Sequence, residues 1–428
     1  MLEGLFQPVF VQIAGAVILV AALGQALFAV TGIVRRSHTQ KEHLNDAREY
    51  LRSQTRAVLR EAKRREDLFE HSWNGIRKFE VSRKVLEAEG VHSLYLTPHD
   101  GKPLPPFHPG QFLTFSLRIP NQSKPVIRCY SLSDSFGKDY FRVSVKKVPP
   151  PRDRPELAPG LSSSYLNDEV FEGDILDCKA PSGNFFLDLT RNRPVVLIGG
   201  GIGITPVLSM LNALCEMGSR QEIWFFLGVR NSREHVQKSH LERLAAEFQN
   251  VKLNVCYSDP IPEDELNVDY QHQGRVGLDL FKQVLPSNNF DFYICGPPPM
   301  MNAVTEGLAQ WGVPEDDVHF EAFGPASVKK KPADESKQDG SVAAAVAVTF
   351  ARSEKTVTWD GTEASLLDFA EANGIAMDSG CRAGNCGSCI TALKSGNVEY
   401  LNEPGSMPET GSCLTCISIP KGDVTLDA

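Results

Sequence analysis

Val195-Val196-Leu197-Ile198-Gly199-Gly200-Gly201-Ile202-Gly203-Ile204-Thr205-Pro206 reads as a buried strand, a glycine turn and the start of a helix, which Val207–Met217 continues. Four aliphatic residues between Pro194 and the glycines fit a strand covered on both faces. The turn departs from G-x-G-x-x-G, because Pro206 takes the place of the last glycine. The physical principle is shared: absent side chains let a diphosphate reach backbone N–H groups at a helix start. Further strands are expected at Glu222–Val229, Lys252–Tyr257 and Phe290–Ile294, with helices between. The pattern predicts about five parallel strands in an α/β doubly wound domain over residues 191–327. Ile294-Cys295-Gly296-Pro297-Pro298-Pro299 falls at the carboxyl edge, where such sheets bind ligands, and Phe320-Glu321-Ala322-Phe323-Gly324-Pro325 closes the domain.

Toward the N-terminus the period changes to two. Runs at Lys78–Leu86, Val91–Thr97, Phe112–Leu117, Val126–Leu132, Tyr140–Val148 and Ile175–Ala180 predict an antiparallel β-barrel over residues 76–190. Within it, Arg128-Cys129-Tyr130-Ser131-Leu132-Ser133 offers an Arg for a diphosphate, a Tyr to stack on a flat ring and a Ser hydroxyl for a ring edge. Alone this is also an ordinary strand. Gly160-Leu161-Ser162-Ser163-Ser164-Tyr165-Leu166 adds hydroxyls and free N–H groups at a short helix start, although a simple Ser N-cap would look the same.

Residues 5–34 carry no charge and are mostly apolar. About 27 residues of helix span roughly 40 Å, against about 30 Å of hydrocarbon, so residues 1–36 are expected to form an N-terminal transmembrane helix. Arg35, Arg36 and Lys41 follow, which predicts a single-pass cell-membrane protein with its catalytic domains cytoplasmic. Residues 37–75 then read as a juxtamembrane helix in which Arg48, Arg52, Arg56, Arg60 and Arg64 recur every four positions. That stripe suits anionic lipid headgroups, a solvated linker helix or a short coiled coil.

Toward the C-terminus, residues 328–342 are a polar tether, and residues 343–428 open with a hairpin and a helix at Ser365–Asn373. Cys381, Cys386 and Cys389 then form a C-x4-C-x2-C run, with Cys416 downstream, the spacing of plant-type [2Fe–2S] ligation. A zinc site from Cys386, Cys389, Cys413 and Cys416 is the competing reading, but it leaves Cys381 unused and the glycine-rich loop unexplained. The chain is long enough for about three domains. A formal charge of −9 argues against a nucleic-acid partner, and ten cysteines in 428 residues suit a metal in a reducing compartment better than a disulfide framework.

Residues 77–325 resemble the ferredoxin-NADP reductase superfamily, and most of all the reductase half of flavohaemoglobins; residues 343–428 resemble a plant-type ferredoxin, an α+β (β-grasp) domain. The resemblance implies FAD, NAD(P)H and a [2Fe–2S] cluster as cofactors. It implies that Arg128, Cys129, Tyr130 and Ser131 hold FAD, with Phe112 near its ring or adenine and Ser163 and Ser164 facing its pyrophosphate. Gly200, Gly201, Ile202, Gly203, Ile204 and Thr205 would take the nicotinamide nucleotide together with Gly296 and Pro297. Thr205, Cys295 and Ser131 would lie at the reacting rings, and Phe323, followed by Gly324, would cover the flavin. Cys381, Cys386, Cys389 and Cys416 would be the iron ligands.

A hydride delivers two electrons and a [2Fe–2S] cluster accepts one, so the flavin belongs between them. The expected function is a membrane-anchored reductase that feeds single electrons to a partner oxygenase, desaturase or hydroxylase. A quinone reductase and a redox-sensing module are the alternatives. Arg230, Asn231, Ser232 and Arg233 follow the second strand of the nucleotide domain and could receive a 2′-phosphate, with no acidic residue at the strand end to claim a 2′-hydroxyl.

Overall fold

The computed structural model describes residues 70–150, 154–323 and 346–428, apart from 381, 383, 385, 386, 402, 403, 405 and 406; before residue 70 it describes only scattered helical positions. By chain contacts, residues up to Glu66 form one unit and Asp67–Ala428 another.

In the first unit the described positions in the apolar stretch are 15–17, 19–20, 23–25, 28 and 31, all helical. The expectation of a membrane anchor, and of a cell-membrane location with it, is corrected here. Among the described residues no helix is long and apolar enough to cross a membrane. The remainder of the segment, and the arginines at 48, 52, 56, 60 and 64, lie outside the described residues, as does the expected tether at 328–342.

The second unit begins with the strands β1 (Arg77–Ala88), β2 (Val91–Pro98), β3 (Phe112–Leu117), β4 (Val126–Ser131) and β5 (Phe141–Lys146). A short helix α1 (Leu161–Ser164) and β6 (Ile175–Cys178) follow. The six strands pair antiparallel in the order β4-β3-β6-β1-β2-β5 and lie on the period-two runs of the sequence. Phe79, Leu94, Leu96, Leu113, Phe115 and Val143 fill the core between them. The expected barrel does not close. Between the edge strands β4 and β5 the ladder reduces to an isolated Leu132–Val143 bridge and the Ser133 N–H donating to Arg142 O at 2.8 Å. Beyond that bridge Tyr130 and Ser131 on one strand and Ser144 and Lys146 on the other border a cavity, and this cavity is the physical reason for the gap.

The nucleotide domain is built from β7 (Val195–Gly200), α2 (Ile204–Glu216), β8 (Ile223–Val229), α3 (Lys238–Glu247), β9 (Val251–Tyr257), β10 (His272–Gln273), α4 (Leu278–Val284), β11 (Asp291–Cys295), α5 (Pro298–Gln310) and β12 (Val318–Glu321). All pairs are parallel in the order β10-β9-β8-β7-β11-β12, one strand more than expected because the two-residue β10 adds an edge. Separate apolar layers cover its two faces. Leu197, Phe225 and Leu227 pack with α2 and α3, and Ile198, Phe226 and Phe292 with α4 and α5. Asp134 joins this domain to the flavin-side sheet. Its carbonyl accepts from Ser209 Oγ at 2.6 Å, and its carboxylate accepts from Asn212 Nδ2 and Tyr140 OH, each at 3.0 Å.

The C-terminal domain is a mixed sheet in the order β14-β13-β19-β15-β17. The antiparallel hairpin β13 (Val346–Phe350) and β14 (Lys355–Trp359) leads to helix α6 (Leu366–Ala372), whose N-cap Ser365 accepts from the Asp368 N–H. The strands β15 (Ile390–Ser395), β16 (Val398–Tyr400), β17 (Ser412–Leu414), β18 (Ser418–Pro420) and β19 (Val424–Leu426) follow, with β19 parallel to β13. Val348, Phe350, Leu366 and Phe369 form the core beneath α6.

One guanidinium gathers the starts of three parallel strands. Arg193, just before β7, donates to Asp291 Oδ1 at 2.8 Å and to Asp317 Oδ2 at 2.8 Å. Asp291 is 2% exposed, and its other cation, Arg191, stands 3.9 Å away. Arg193→Met is expected to strand that carboxylate and cost about 3 kcal/mol, read as a lower urea midpoint at unchanged m. An unchanged midpoint would show that the pair carries no stability.

Candidate functional site

Two neighbouring cavities lie where the flavin-side sheet meets the carboxyl edge of the parallel sheet. The larger, about 810 Å³, is walled by the glycine turn after β7, by Gly296–Met300 and by Arg230, Glu234 and Arg275. The smaller, about 290 Å³, is walled by Arg128–Ser131, by α1 with Gly160, and by Thr205. Lys146, Val148, Ile202 and Phe323 line both, so the two adjoin at these residues.

The glycine turn explains the shape of the larger cavity. A β-carbon on Gly203 would stand 2.3 Å from Cys295 O, and one on Gly200 would stand 2.6 Å from Met300 Sδ. Contacts that short exclude any side chain, so the wall is backbone at the end of β7 and the start of α2. A helix start carries orphan N–H groups, which is what a diphosphate requires of such a wall.

Of the buried polar atoms without a partner among the described residues, only that of Ser162 belongs to a residue lining either cavity. Among the described residues Ser162 Oγ, Ser164 Oγ and Glu321 Oε2 are buried without a hydrogen-bond partner. Leaving such a group unpaired costs roughly 1–3 kcal/mol, which a bound polar group would recover. Ser162 lines the smaller cavity, and its neighbour Ser163 does so as well. The Ser163 hydroxyl, however, is already engaged: it donates to Gly160 O at 3.0 Å and accepts from the Val148 N–H at 3.1 Å. The sequence reading named Ser163 and Ser164 but passed over Ser162, because three adjacent serines look alike until the helix start gives each a direction.

Of the other expected residues, Arg128, Cys129, Tyr130, Ser131, Thr205 and Phe323 line the smaller cavity, and Gly200, Gly201, Ile202, Gly203, Gly296, Pro297 and Phe323 the larger. Phe112, Ser164, Ile204 and Cys295 line neither. Phe112 packs its ring against Gly183, and Cys295 is completely buried behind the glycine turn. Burial, reinforced by the neighbouring Glu321, holds the Cys295 thiol well above its usual range, so it stays protonated. Gly324, Cys381 and Cys386 lie outside the described residues.

Glu321 stands beside Cys295 in the β11–β12 register. It was visible as the one acid in Phe320–Phe323, yet only the fold reveals its isolation.

In the C-terminal domain the β15–β17 register sets Ile390 opposite Leu414. This brings Cys389, just before β15, to the turn Thr415–Ile417, and Cys389 Sγ and Cys416 Sγ lie 3.0 Å apart. Both side chains are buried, and a β-carbon on Gly384 would stand 2.4 Å from Ile417 Cδ1, so the cysteine loop packs on the same turn. Arg382 in that loop is paired with Asp368 and Glu371. Two adjacent thiols on this frame are a fit donor pair for one iron of a [2Fe–2S] cluster.

Family models for an oxidoreductase FAD-binding domain, an oxidoreductase NAD-binding domain and a 2Fe-2S iron-sulfur cluster binding domain match residues 92–187, 197–306 and 348–421 in that order. The flavohemoprotein of Halalkalibacterium halodurans is 39% identical over 254 residues, 59% of this chain and 61% of its own length. The chain thus spans about three fifths of the length of the curated relatives it matches. Among solved structures, the flavohem-like FAD/NAD-binding domain of a Vibrio cholerae nitric oxide dioxygenase is 33% identical, with a TM-score of 0.53. It is covered in full by 59% of this chain. Phthalate dioxygenase reductase is 26% identical with a TM-score of 0.50, the match covering 83% of this chain and 98% of that one. The chain belongs to the ferredoxin-NADP reductase superfamily, with a flavohaemoglobin-type reductase module fused to a C-terminal plant-type [2Fe–2S] ferredoxin domain. It is an oxidoreductase whose cofactors are FAD, NAD(P)H and a [2Fe–2S] cluster.

Two outcomes test this site. Ser162→Ala is expected to weaken FAD binding about tenfold while leaving the apoprotein's melting temperature within a degree or two, whereas Ser163→Ala lowers that temperature by unfastening Val148. Equal effects of the two would remove the distinction.

Burial lifts the Glu321 carboxyl from 4.5 to about 8. Between those values the folded protein keeps a proton that the unfolded chain has released. Its contribution to stability is therefore complete below the lower value and is lost as pH rises through the upper one. Urea unfolding near pH 5.5 and pH 8 should show a loss of roughly 1–4 kcal/mol that Glu321→Gln abolishes. The same slope in both proteins would place the proton elsewhere.

Proposed function

We propose that this chain is the reductase component of an oxygenase or hydroxylase system, taking electrons from NAD(P)H and passing them singly to a partner protein. The adjacency of the two cavities at Phe323, in a chain that also carries a [2Fe–2S] domain, is the observation that carries the proposal. Phthalate dioxygenase reductase, described as a modular structure for electron transfer from pyridine nucleotides to [2Fe-2S], supports it over nearly its whole length.

The residues have distinct tasks. The backbone wall from Gly200 to Gly203 would hold the diphosphate of the nicotinamide nucleotide, and Arg128 and α1 that of FAD. Tyr130 and Ser131 would orient the isoalloxazine ring. Phe323, 39% exposed at the junction of the cavities, would cover the ring and yield to nicotinamide. Hydride transfer requires ring-to-ring contact rather than a general base, so excluding water and fixing the approach are the protein's contribution. FAD, when bound, supplies the conversion of a two-electron donor into one-electron deliveries. Cys381, Cys386, Cys389 and Cys416 would hold the cluster.

Cys389→Ser is expected to lose the visible absorbance of the cluster and to lower NAD(P)H-dependent cytochrome c reduction by more than about tenfold. It should leave NAD(P)H–ferricyanide activity within about twofold, since that acceptor draws on the flavin directly. Survival of both activities would show that electrons do not leave through the cluster.

A further inference from the structure

At the carboxyl end of β8 the chain turns back on itself. Asn231 Oδ1 accepts the Arg233 N–H at 3.2 Å and caps a short 3-10 turn over Ser232–Glu234. The Asn231 side chain also donates to Asp259 O at 3.2 Å, which ties the turn to the end of β9. The consequence is not visible in the linear sequence. Glu234 returns beneath Arg230 and accepts from its Nε at 2.8 Å and from its Nη2. From the flavin-side sheet, Lys146 Nζ reaches the other oxygen, Glu234 Oε2, at 3.3 Å. All three side chains line the larger cavity, and the Glu234 side chain is only 17% exposed. Burial tends to raise its pKa, but the hydrogen bond from Arg230 and the charge of Lys146 outweigh that, so the carboxyl is held below its ordinary range.

This end of the cavity lies at the ends of β8 and β9, with Arg230, Ser258 and Arg275, whereas Phe323 marks the flavin side. Nicotinamide must meet the flavin, so the adenosine half of the nucleotide occupies the far end. Its ribose then falls at the end of the second strand of the domain. We infer that Glu234 makes this cavity select NADH over NADPH, accepting the free 2′-hydroxyl and excluding a 2′-phosphate. The inference rests on assigning the larger cavity to the nicotinamide nucleotide.

Electrostatics decides the sign. A 2′-phosphate brings close to two negative charges and needs cations that are free to pair with it. Arg230, the residue that looks like its receptor, already spends two donors on Glu234, and Lys146 shares the same carboxylate. A phosphate could meet Arg275, which also lines this end, but to engage Arg230 or Lys146 it would have to break this pairing and stand beside a carboxylate in a partly enclosed site. A hydroxyl donates to the carboxylate and leaves both ion pairs intact. Replacing Glu234 by an uncharged residue frees Arg230 and Lys146 and reverses the balance.

Isothermal titration of the full holoprotein with ADP-ribose and with 2′-phospho-ADP-ribose tests this without turnover. The wild type should bind ADP-ribose at least about tenfold more tightly, and Glu234→Gln should move the ratio by at least about tenfold toward the phosphorylated ligand. The ratio of KM values for NADPH and NADH should move the same way. A wild type that binds the phosphorylated ligand as tightly or more tightly overturns the inference. So does a Glu234→Gln protein with the wild-type ratio. Should that variant misfold, the wild-type comparison still decides, with Glu234→Ala as the second substitution. If neither ligand binds, the nucleotide assignment of the cavity falls as well, an outcome distinct from loss of discrimination.

Discussion

Gly203 and Cys295 are in backbone contact, and the rest of the site follows from that approach. The strands β7 and β11 are neighbours in a parallel sheet, so their carboxyl ends emerge side by side. The chain leaving β7 must turn into α2 directly over the end of β11. Any β-carbon at Gly203 would penetrate Cys295 O, and Gly200 and Gly296 approach so closely that a β-carbon on Gly296 would stand 3.1 Å from Gly200 Cα. At these glycines the wall offers backbone and a helix start rather than side chains. That is the surface a diphosphate needs. The same approach buries Cys295 and sets Thr205 on the flavin side, where its hydroxyl donates to Ile202 O at 3.0 Å.

The flavin-side sheet contributes by failing to close. A complete ladder between β4 and β5 would bond the backbone of Arg128–Ser131 to that of Ser144–Lys146 and leave no room between them. Stopping the ladder at Leu132–Val143 holds the ends of the two strands together while their outer parts stay apart. Asp134, just past that bridge, then fastens the opened end to α2 through Ser209 and Asn212. Arg142 lies against the same carboxylate at 3.5 Å, so the seam carries an ion pair as well as hydrogen bonds. The opening and the seam are therefore adjacent in sequence, and the smaller cavity is registered against the glycine turn by residues within a few positions of the flavin motif.

Much of this was legible in the chain itself. Period-two runs marked all six strands of the first sheet, although β3 and β5 are buried on both faces. The aliphatic run Val195–Ile198 with its glycines marked the parallel sheet. Closure was misread because alternation reports which face of a strand is covered and says nothing about whether two edge strands meet. The two-residue β10 escaped because it is too short to show a period. Charged residues were the least legible. Arg230 and Arg233 looked like a phosphate site with no acid at the strand end, whereas Asn231 caps a turn that returns Glu234 to Arg230. Ser162, Ser163 and Ser164 were equivalent as letters and differ in which hydroxyl the backbone has already claimed and in which residues line the cavity. The membrane reading of residues 5–34 rested on an uncharged, mostly apolar stretch followed by basic residues, whereas among the described residues no helix is long and apolar enough to cross a membrane.

The competition between iron–sulfur and zinc readings of the tail turns on Cys413. A structural zinc site would need Cys413 together with Cys386, Cys389 and Cys416, all four thiols converging on one point. The β15–β17 register sets Cys413 opposite Thr391 and Leu414 opposite Ile390, and consecutive residues in a strand face opposite ways. Cys413 packs in the core with Phe350 and Phe369 beneath α6, whereas Cys389 and Cys416 belong to a second core with Leu367 and Ile417. Recruiting Cys413 as a fourth ligand would mean turning a fully buried side chain out of its core across its own strand. Cys389 and Cys416 face each other without any such rearrangement, and the C-x4-C-x2-C spacing would draw the other two ligands from Cys381 and Cys386. The donor set that needs no movement in the described residues is the one that suits two irons.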